Sequence, residues 1–265
     1  MVEIEGTRRS LGKLDTANSD LLVVAGIPAY NEEKTIGRVV LGAREYAHIV
    51  VVCDDGSSDL TGEIAERLGA VVVRHERNFG KGAALRTGLS QVLALGFEWA
   101  VALDGDGQHV PDDLSVFLRC AERTGALLVV GNRMHNACAI PWLRRQVNRW
   151  MSGRLSRYAG RHLPDTQCGF RLIHLQTWSA LPLKTEHFEV ESEMLMAFLV
   201  RGYRIEFVPI QVIRNRRRSR IRPLADSLRW WKWWRSLERP SAHSAEIEGV
   251  RGGNSRCEFK QAFTR

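Results

Sequence analysis

Asp104-Gly105-Asp106-Gly107-Gln108-His109 places two carboxylates one residue apart in a glycine-rich stretch. On a loop leaving a buried strand, such a pair can bind one hard divalent cation. Mg²⁺ and Mn²⁺ favour oxygen ligands, and Mg²⁺ commonly shares its shell with substrate phosphates. The ion would neutralise charge developing on a phosphate leaving group. The same residues also suit a plain turn, because Asp and Gly are common in turns. What favours the metal is the company they keep: Ile27-Pro28-Ala29-Tyr30-Asn31-Glu32-Glu33, Asp54-Asp55-Gly56-Ser57-Ser58-Asp59 and, further on, Arg133.

These motifs need elements to present them, and strand and helix signals alternate along the chain. Apolar runs at Leu21 to Ile27, His48 to Cys53, Ala70 to Val73, Trp99 to Leu103 and Leu127 to Val130 read as buried strands. Between them, Ile36, Val39, Val40 and Ala43 recur at helical spacing, as do Leu60, Ile64 and Leu68, then Leu85, Leu89, Val92 and Leu93. Ser57, Ser58 and Asp59 offer capping oxygens, and Pro111 suits a first helical turn. Such alternation predicts an α/β fold, a mostly parallel sheet with helices on both faces. Ligands of such sheets bind beyond the carboxyl ends of the strands. The polar motifs all fall at those ends and predict one rim.

Composition bounds the rest. The chain has 265 residues, 44% of them hydrophobic, enough for one substantial core. A flexible leader over 1–19, a single catalytic domain over 20–238 and a disordered tail over 239–265 are expected. No apolar run reaches about eighteen residues, the span of a membrane helix. With the polar start from Met1 to Asp20, this predicts a cytoplasmic protein. The five cysteines lack metal-ligand or redox spacing, so Cys53 and Cys168 read as packing residues. Net charge is +8, and of 38 basic side chains 32 are arginine, whose planar fork suits phosphate. A dinucleotide-binding turn is excluded, because the first strand is followed by Glu32 and Glu33 rather than Gly-x-Gly-x-x-Gly.

Taken in order, Ile27 to Glu33, Asp54 to Asp59, Asn78-Phe79-Gly80-Lys81-Gly82 and Asp104 to His109 resemble glycosyltransferase family 2. Asp165-Thr166-Gln167-Cys168-Gly169-Phe170-Arg171, Phe188 to Met194 and Arg218-Ser219-Arg220 resemble its dolichol-phosphate mannosyltransferase-like branch, whose members load a sugar onto a polyprenyl phosphate. The resemblance spans roughly Leu22 to Arg235 and implies a glycosyltransferase A-type fold. It implies that Pro28, Tyr30 and Glu32 line the nucleoside pocket, with Asp54 or Asp55 on base or ribose and Lys81 nearby. Asp104 would face the donor, and Asp106 with Gln108 would ligate Mg²⁺ or Mn²⁺. Arg133 and Arg220 would bind phosphates, and Glu193 matches an acidic position in the acceptor half. Two departures stand out: Arg218-Ser219-Arg220 replaces the usual Arg-Ser-Lys, and no apolar membrane segments follow.

The implied donor is GDP-mannose or a UDP-sugar, and the implied acceptor a polyprenyl phosphate attacked with inversion. An acceptor phosphate is already an anion and hardly needs a base. A soluble hydroxyl acceptor is the alternative and would need one, with Glu191 or Glu193 as candidates. Both glutamates could instead lie on a solvated helix face. A nucleic-acid partner is not expected, since basic charge alone gives no reason for aspartates at strand ends. Two further elements bear on the acceptor. Trp142 to Tyr158 shows Leu143, Val147, Trp150, Met151 and Leu155 on one side, flanked by arginines. Pro223 to Leu237 brings Trp230, Trp231, Trp233 and Trp234 beside Arg229, Lys232 and Arg235. Tryptophan beside arginine predicts peripheral contact with an anionic membrane surface; the alternative is a helix docked on the domain.

Overall fold

The computed structural model describes residues 23–135, 140–213 and 223–238. The expected leader and tail, and Arg218, Ser219 and Arg220, lie outside the described residues. The described chain runs β1 (Val23–Ala29), α1 (Ile36–Arg44), β2 (Ile49–Asp54), α2 (Thr61–Arg67), β3 (Val71–Arg74), α3 (Lys81–Ala94) and β4 (Trp99–Ala102). A 3₁₀ turn at Pro111–Asp113 leads into α4 (Leu114–Thr124) and β5 (Leu128–Asn132). Then follow α5 (Trp142–Ala159), β6 (Arg171–His174), α6 (Leu175–Ser179), α7 (Val190–Val200), β7 (Ile205–Pro209) and α8 (Pro223–Glu238).

The seven strands form one sheet in the order β3-β2-β1-β4-β6-β5-β7. All are parallel except β6, which runs antiparallel between β4 and β5. Every residue of β4, and Val50 to Asp54 of β2, is buried. Side chains alternate between faces, so burial along the whole strand means that both faces are covered. The α/β expectation holds. Two strands were not foreseen. Both β6 and β7 are short, and β6 starts with a charged residue, Arg171, that carries no strand signal.

Register decides where the loops emerge. Ala29 pairs with Asp54, and Val130 with both Arg171 and Phe207. The carboxyl ends of β1, β2, β4, β5 and β7 therefore share one edge. Pro28 was expected to close β1, yet the strand continues to Ala29. Alternate residues of β1 face β4, and that pairing ends at Gly26. The missing N–H of Pro28 thus leaves no ladder bond unmade.

Three amphipathic readings need correction. Leu60 precedes α2 and is exposed rather than on its packed face. In α5, Met151 and Leu155 are buried together with the polar Asn148 and Ser152, while Leu143 and Trp150 stay exposed. Polar groups occupy the inner face because it meets the 165–166 loop. The Asn148 amide donates to Asp165 Oδ1 at 3.0 Å, and Ser152 Oγ meets Thr166 Oγ1 at 3.0 Å. In α8, Trp230 and Trp234 belong to the core, stacked at 5.7 Å between centroids, and Trp233 packs partly buried against it. Trp230 Nε1 donates to Ser192 Oγ at 2.8 Å, which gives this buried indole its partner. So α8 is docked, and Trp230 does not report on a membrane. Among the described residues, no helix is long and apolar enough to cross one.

Candidate active site

The loop after β1 and the loop after β2 are tied together. Asn31, with a left-handed φ of 49°, accepts from Ser58 N through its side-chain oxygen at 2.7 Å, while its own N–H donates to Ser57 Oγ at 2.8 Å. Glu32 N donates to Thr61 Oγ1 and Glu33 N to Asp59 Oδ2. The expected capping oxygens thus bind mostly across loops rather than within α2. Asp54 Oδ1 accepts Ser57 N at 3.0 Å. Asp55 is buried and accepts three groups: Phe79 N at 2.9 Å, Gly80 N at 2.8 Å and His75 Nδ1 at 2.7 Å. Its carboxylate therefore sets the turn into α3. Gly80 has φ of 102°, and a Cβ there would meet Glu186 O at 2.5 Å. Only glycine passes.

That turn delivers Lys81 to the centre of the site. Its ammonium lies 2.7 Å from Asp104 Oδ1 and 2.6 Å from Glu191 Oε1. His109 Nε2 meets the other Asp104 oxygen at 3.3 Å. Burial works against the charge of Asp104, but Lys81 and His109 outweigh it and hold the carboxyl well below the usual range. Burial also opposes the charge of Lys81, and Asp104 with Glu191 overcomes it, raising the ammonium above the usual lysine value. Gly169 backs the carboxylate: a Cβ there would sit 2.5 Å from Asp104 Oδ1. The Asp106 carboxylate accepts Gln108 N at 3.0 Å, and Arg38 Nη2 donates to Gly107 O at 2.9 Å, so the loop has a fixed form.

Chain connectivity brings a second segment to this loop. Gln211 N donates to Asp113 Oδ2 at 2.7 Å, His109 bridges to Val212, and Ile213 N donates to Gln108 O at 2.9 Å. Burial raises the pKa of Asp113 above its ordinary value despite this bond from Gln211.

Arg133, at the end of β5, forms a two-pronged pair with Asp165, Nε at 2.8 Å and Nη2 at 2.9 Å. Asp165 is fully buried; burial pushes its pKa up, and Arg133 more than reverses this. Arg171 is buried, has no carboxylate partner among the described residues, and donates to three carbonyls, Cys168 O, Glu191 O and Thr166 O. It ties the 165–171 loop to the start of α7. Burial pushes the Cys168 thiol up to about 12, which suits packing and not nucleophilic attack.

The two glutamates of α7 are buried, at 3% and 4% exposure, so neither lies on a solvated face. Glu191 joins Lys81. Glu193 turns away from Asp104: its oxygens accept Lys184 N at 3.0 Å, Thr185 N at 2.9 Å and Thr185 Oγ1 at 2.7 Å. The structure therefore brings together Asp104, Lys81, Glu191 and His109, with Asp106 on the same loop, and leaves Glu193 on the 184–185 backbone. Arg144 of α5 is a cation that sequence reasoning placed only on a basic flank. It is half-buried and makes no hydrogen bond or ion pair among the described residues. Burial and the charge of Arg133 lower its pKa, and Asp106 and Asp104 raise it, so its guanidinium senses the aspartate loop. Only its place on α5 against Arg133 singles it out from its neighbours.

The donor set suits Mg²⁺ or Mn²⁺, being two hard carboxylates at a strand end. No group of three or more His, Cys, Asp or Glu that could hold a metal occurs among the described residues. The remaining ligands would then come from phosphate and water oxygens, a pattern that Mg²⁺ favours.

Known proteins resemble this chain in sequence and in fold. The model of the family described as Glycosyl transferase family 2 matches residues 25–177. A UDP-N-acetylglucosamine–dolichyl-phosphate N-acetylglucosaminyltransferase of Methanococcus voltae is 32% identical over 219 residues, covering 74% of this chain and 87% of that protein. A dolichyl-phosphate hexose transferase of Haloferax volcanii is 33% identical over 214 residues, covering 78% and 88%. Among solved structures, glucosyl-3-phosphoglycerate synthase from Mycobacterium tuberculosis, in complex with Mn²⁺, UDP and glucosyl-3-phosphoglycerate, superposes with a TM-score of 0.62. It is 21% identical and covers 86% of this chain and 84% of that one, a likeness of fold. The protein is a glycosyltransferase of the A-type fold and belongs to glycosyl transferase family 2.

Proposed function

We propose that the protein transfers a sugar from a nucleotide-diphosphate donor to the phosphate of a polyprenyl lipid, with inversion at the anomeric carbon. The observation that carries this reading is the division of charges around Asp104. Of the two α7 glutamates, Glu193 is committed to backbone N–H groups, and Glu191 holds its charge against Lys81 through Oε1, its buried Oε2 having no hydrogen-bond partner among the described residues. A phosphate acceptor needs no base, whereas a hydroxyl acceptor does. Arg144, a guanidinium with no hydrogen bond or ion pair among the described residues, feels the charges of Arg133, Asp106 and Asp104. Arginine in such a position suits a phosphate oxygen pair. The relatives named for dolichyl phosphate support the same acceptor.

In this reading Pro28, Tyr30 and Glu32 line the nucleoside pocket with Asp54 or Asp55 on base or ribose, and Lys81 orients Asp104 toward the donor. Asp104, Asp106 and Gln108 hold Mg²⁺ or Mn²⁺, an expectation supported by the Mn²⁺ and UDP bound in the mycobacterial structure. The ion would stabilise the departing diphosphate. Arg218, Ser219 and Arg220, which lie outside the described residues, complete the acceptor phosphate site in this reading. The bilayer contact that a lipid acceptor requires would be peripheral, on the cytoplasmic face.

The test is transfer of radiolabel from GDP-mannose, UDP-glucose and UDP-N-acetylglucosamine to a short polyprenyl phosphate, with Mn²⁺ or Mg²⁺ and with EDTA. Label in the lipid fraction, abolished by EDTA, is expected with one donor. Metal-dependent donor hydrolysis without lipid label would instead favour a soluble hydroxyl acceptor.

A further inference from the structure

We propose that the outer face of α5 is the docking surface for an anionic lipid bilayer, with the outer face of α8 beside it. This rests on the lipid acceptor proposed above and adds where the membrane lies. Trp142 is 65% exposed, Leu143 52% and Trp150 40%, and all three fall on one side of α5. Other exposed large hydrophobics, such as Leu41 on α1 and Val71 on β3, stand on separate elements. On α5 the apolar face is framed by arginines, and the helix WLRRQVNRWMSGRLSRYA contains no acidic residue. A partner with complementary charge must therefore be negative.

The face continues onto α8. Trp150 packs edge-on against Trp230 at 5.3 Å and near Trp231 at 6.1 Å, and Arg154 lies over both Trp150 and Trp231, at 5.2 and 4.9 Å. Leu228, 54% exposed, shares the solvent side of α8 with Lys232 and Arg235. Bulky apolar side chains interleaved with arginine suit a helix lying in the headgroup layer. The aromatic residues enter the acyl boundary and the arginines meet lipid phosphates. The inner face of α5 cannot turn outward to join them, because Asn148 and Ser152 are bonded to the 165–166 loop. That loop also holds Arg133. The reaction edge thus lies about one helix diameter, ~10 Å, from the bilayer surface, within reach of a lipid phosphate.

The test is cosedimentation of the full chain with phosphatidylcholine vesicles, pure or carrying about a third phosphatidylglycerol. The parent protein is expected to bind the anionic vesicles, less so as salt rises. Trp142→Ser with Leu143→Ser, both exposed, should weaken binding about tenfold or more. Arg149→Glu with Arg157→Glu should weaken it more than about tenfold, since each basic residue near such a surface contributes severalfold. Leu41→Ser on α1 should bind like the parent, and unchanged thermal unfolding of each variant shows that the fold is kept. Binding of both double variants at the parent level, or equal binding to neutral vesicles, would overturn the docking surface. Transfer assays separate the two readings. Docking variants should lose transfer to polyprenyl phosphate in vesicles but keep it in detergent micelles. A parent enzyme that labels no lipid in micelles, yet binds anionic vesicles through Trp142, overturns the acceptor and supports the surface.

Discussion

Along the β1, β2 and β4 ends, carboxylates are met chiefly by backbone N–H groups of short loops. Asp54 takes Ser57, Asp55 takes Phe79 and Gly80, and Asp106 takes Gln108. Along the β5 to β7 side, charges meet each other, carbonyls or the backbone N–H groups of another segment. Arg133 pairs with Asp165, Arg171 reaches Glu191 O, and Glu193 binds the 184–185 backbone. The first region holds its anions in place at the carboxyl edge of the sheet, where the proposed function puts a cation and a diphosphate. The second spends most of its charges on structure, so an ionisable residue there is poor grounds for a catalytic role. Lys81 joins the two, being carried by the turn that Asp55 holds and shared between Asp104 and Glu191.

The contrast can be broken most directly at Asp106. Asp106→Ala should cut transfer by about a thousandfold, the usual cost of losing a transition-state electrostatic group, while thermal unfolding stays near that of the parent. Comparable activity in the variant would remove the aspartate loop from the chemistry. Arg133→Met should act in the opposite manner, leaving Asp165 buried without its cation. A loss of about 3–5 kcal/mol is expected in urea unfolding, and Arg133→Lys should recover only part, because the two-pronged geometry goes.

Lys81 sharpens the comparison through pH. Its pKa is raised in the fold, so its contribution is complete below the unfolded value near ~10.4 and falls as pH rises past it. The pKa of Asp104 is depressed, so its contribution is complete above the unfolded value near ~3.9 and falls as pH drops below it. Stability against pH should therefore fall at both flanks, and Lys81→Met should flatten the alkaline one. An alkaline limb unchanged in Lys81→Met would show that the ammonium is not held as described. The smallest effect belongs to Glu193→Gln. Loss of charge-assisted bonds should cost about 1–3 kcal/mol of stability, with kcat/KM within a few-fold of the parent. A loss of a hundredfold or more, with normal unfolding, would restore Glu193 as a base.

Legibility followed contact distance. The geometry of the motifs after β1 to β4 was readable because each is a short run whose residue types suit one local form: Gly80 at positive φ, Asp104 and Asp106 leaving a buried strand. Arg133 was readable as a phosphate-type residue at a strand end, but its partner Asp165 was not, since nothing in either neighbourhood specifies the other. Glu191 and Glu193 are two residues apart on one helix and carry the same group. Packing alone sends one to Lys81 and the other to Thr185 N. The tryptophans of α8 show the same limit, because amphipathic spacing identifies a face without saying whether protein or lipid covers it.

The sequence by itself determined the alternating α/β pattern, the strand-end position of the aspartate loop and the likeness to a family, because apolar period and turn chemistry are local properties. Tertiary structure decided the antiparallel place of β6, the sharing of Lys81, the structural use of Glu193 and the exposure of Trp142 rather than Trp230. Those outcomes depend on which surfaces meet across dozens of residues, and only the register of the sheet and the packing of α5, α7 and α8 supply that.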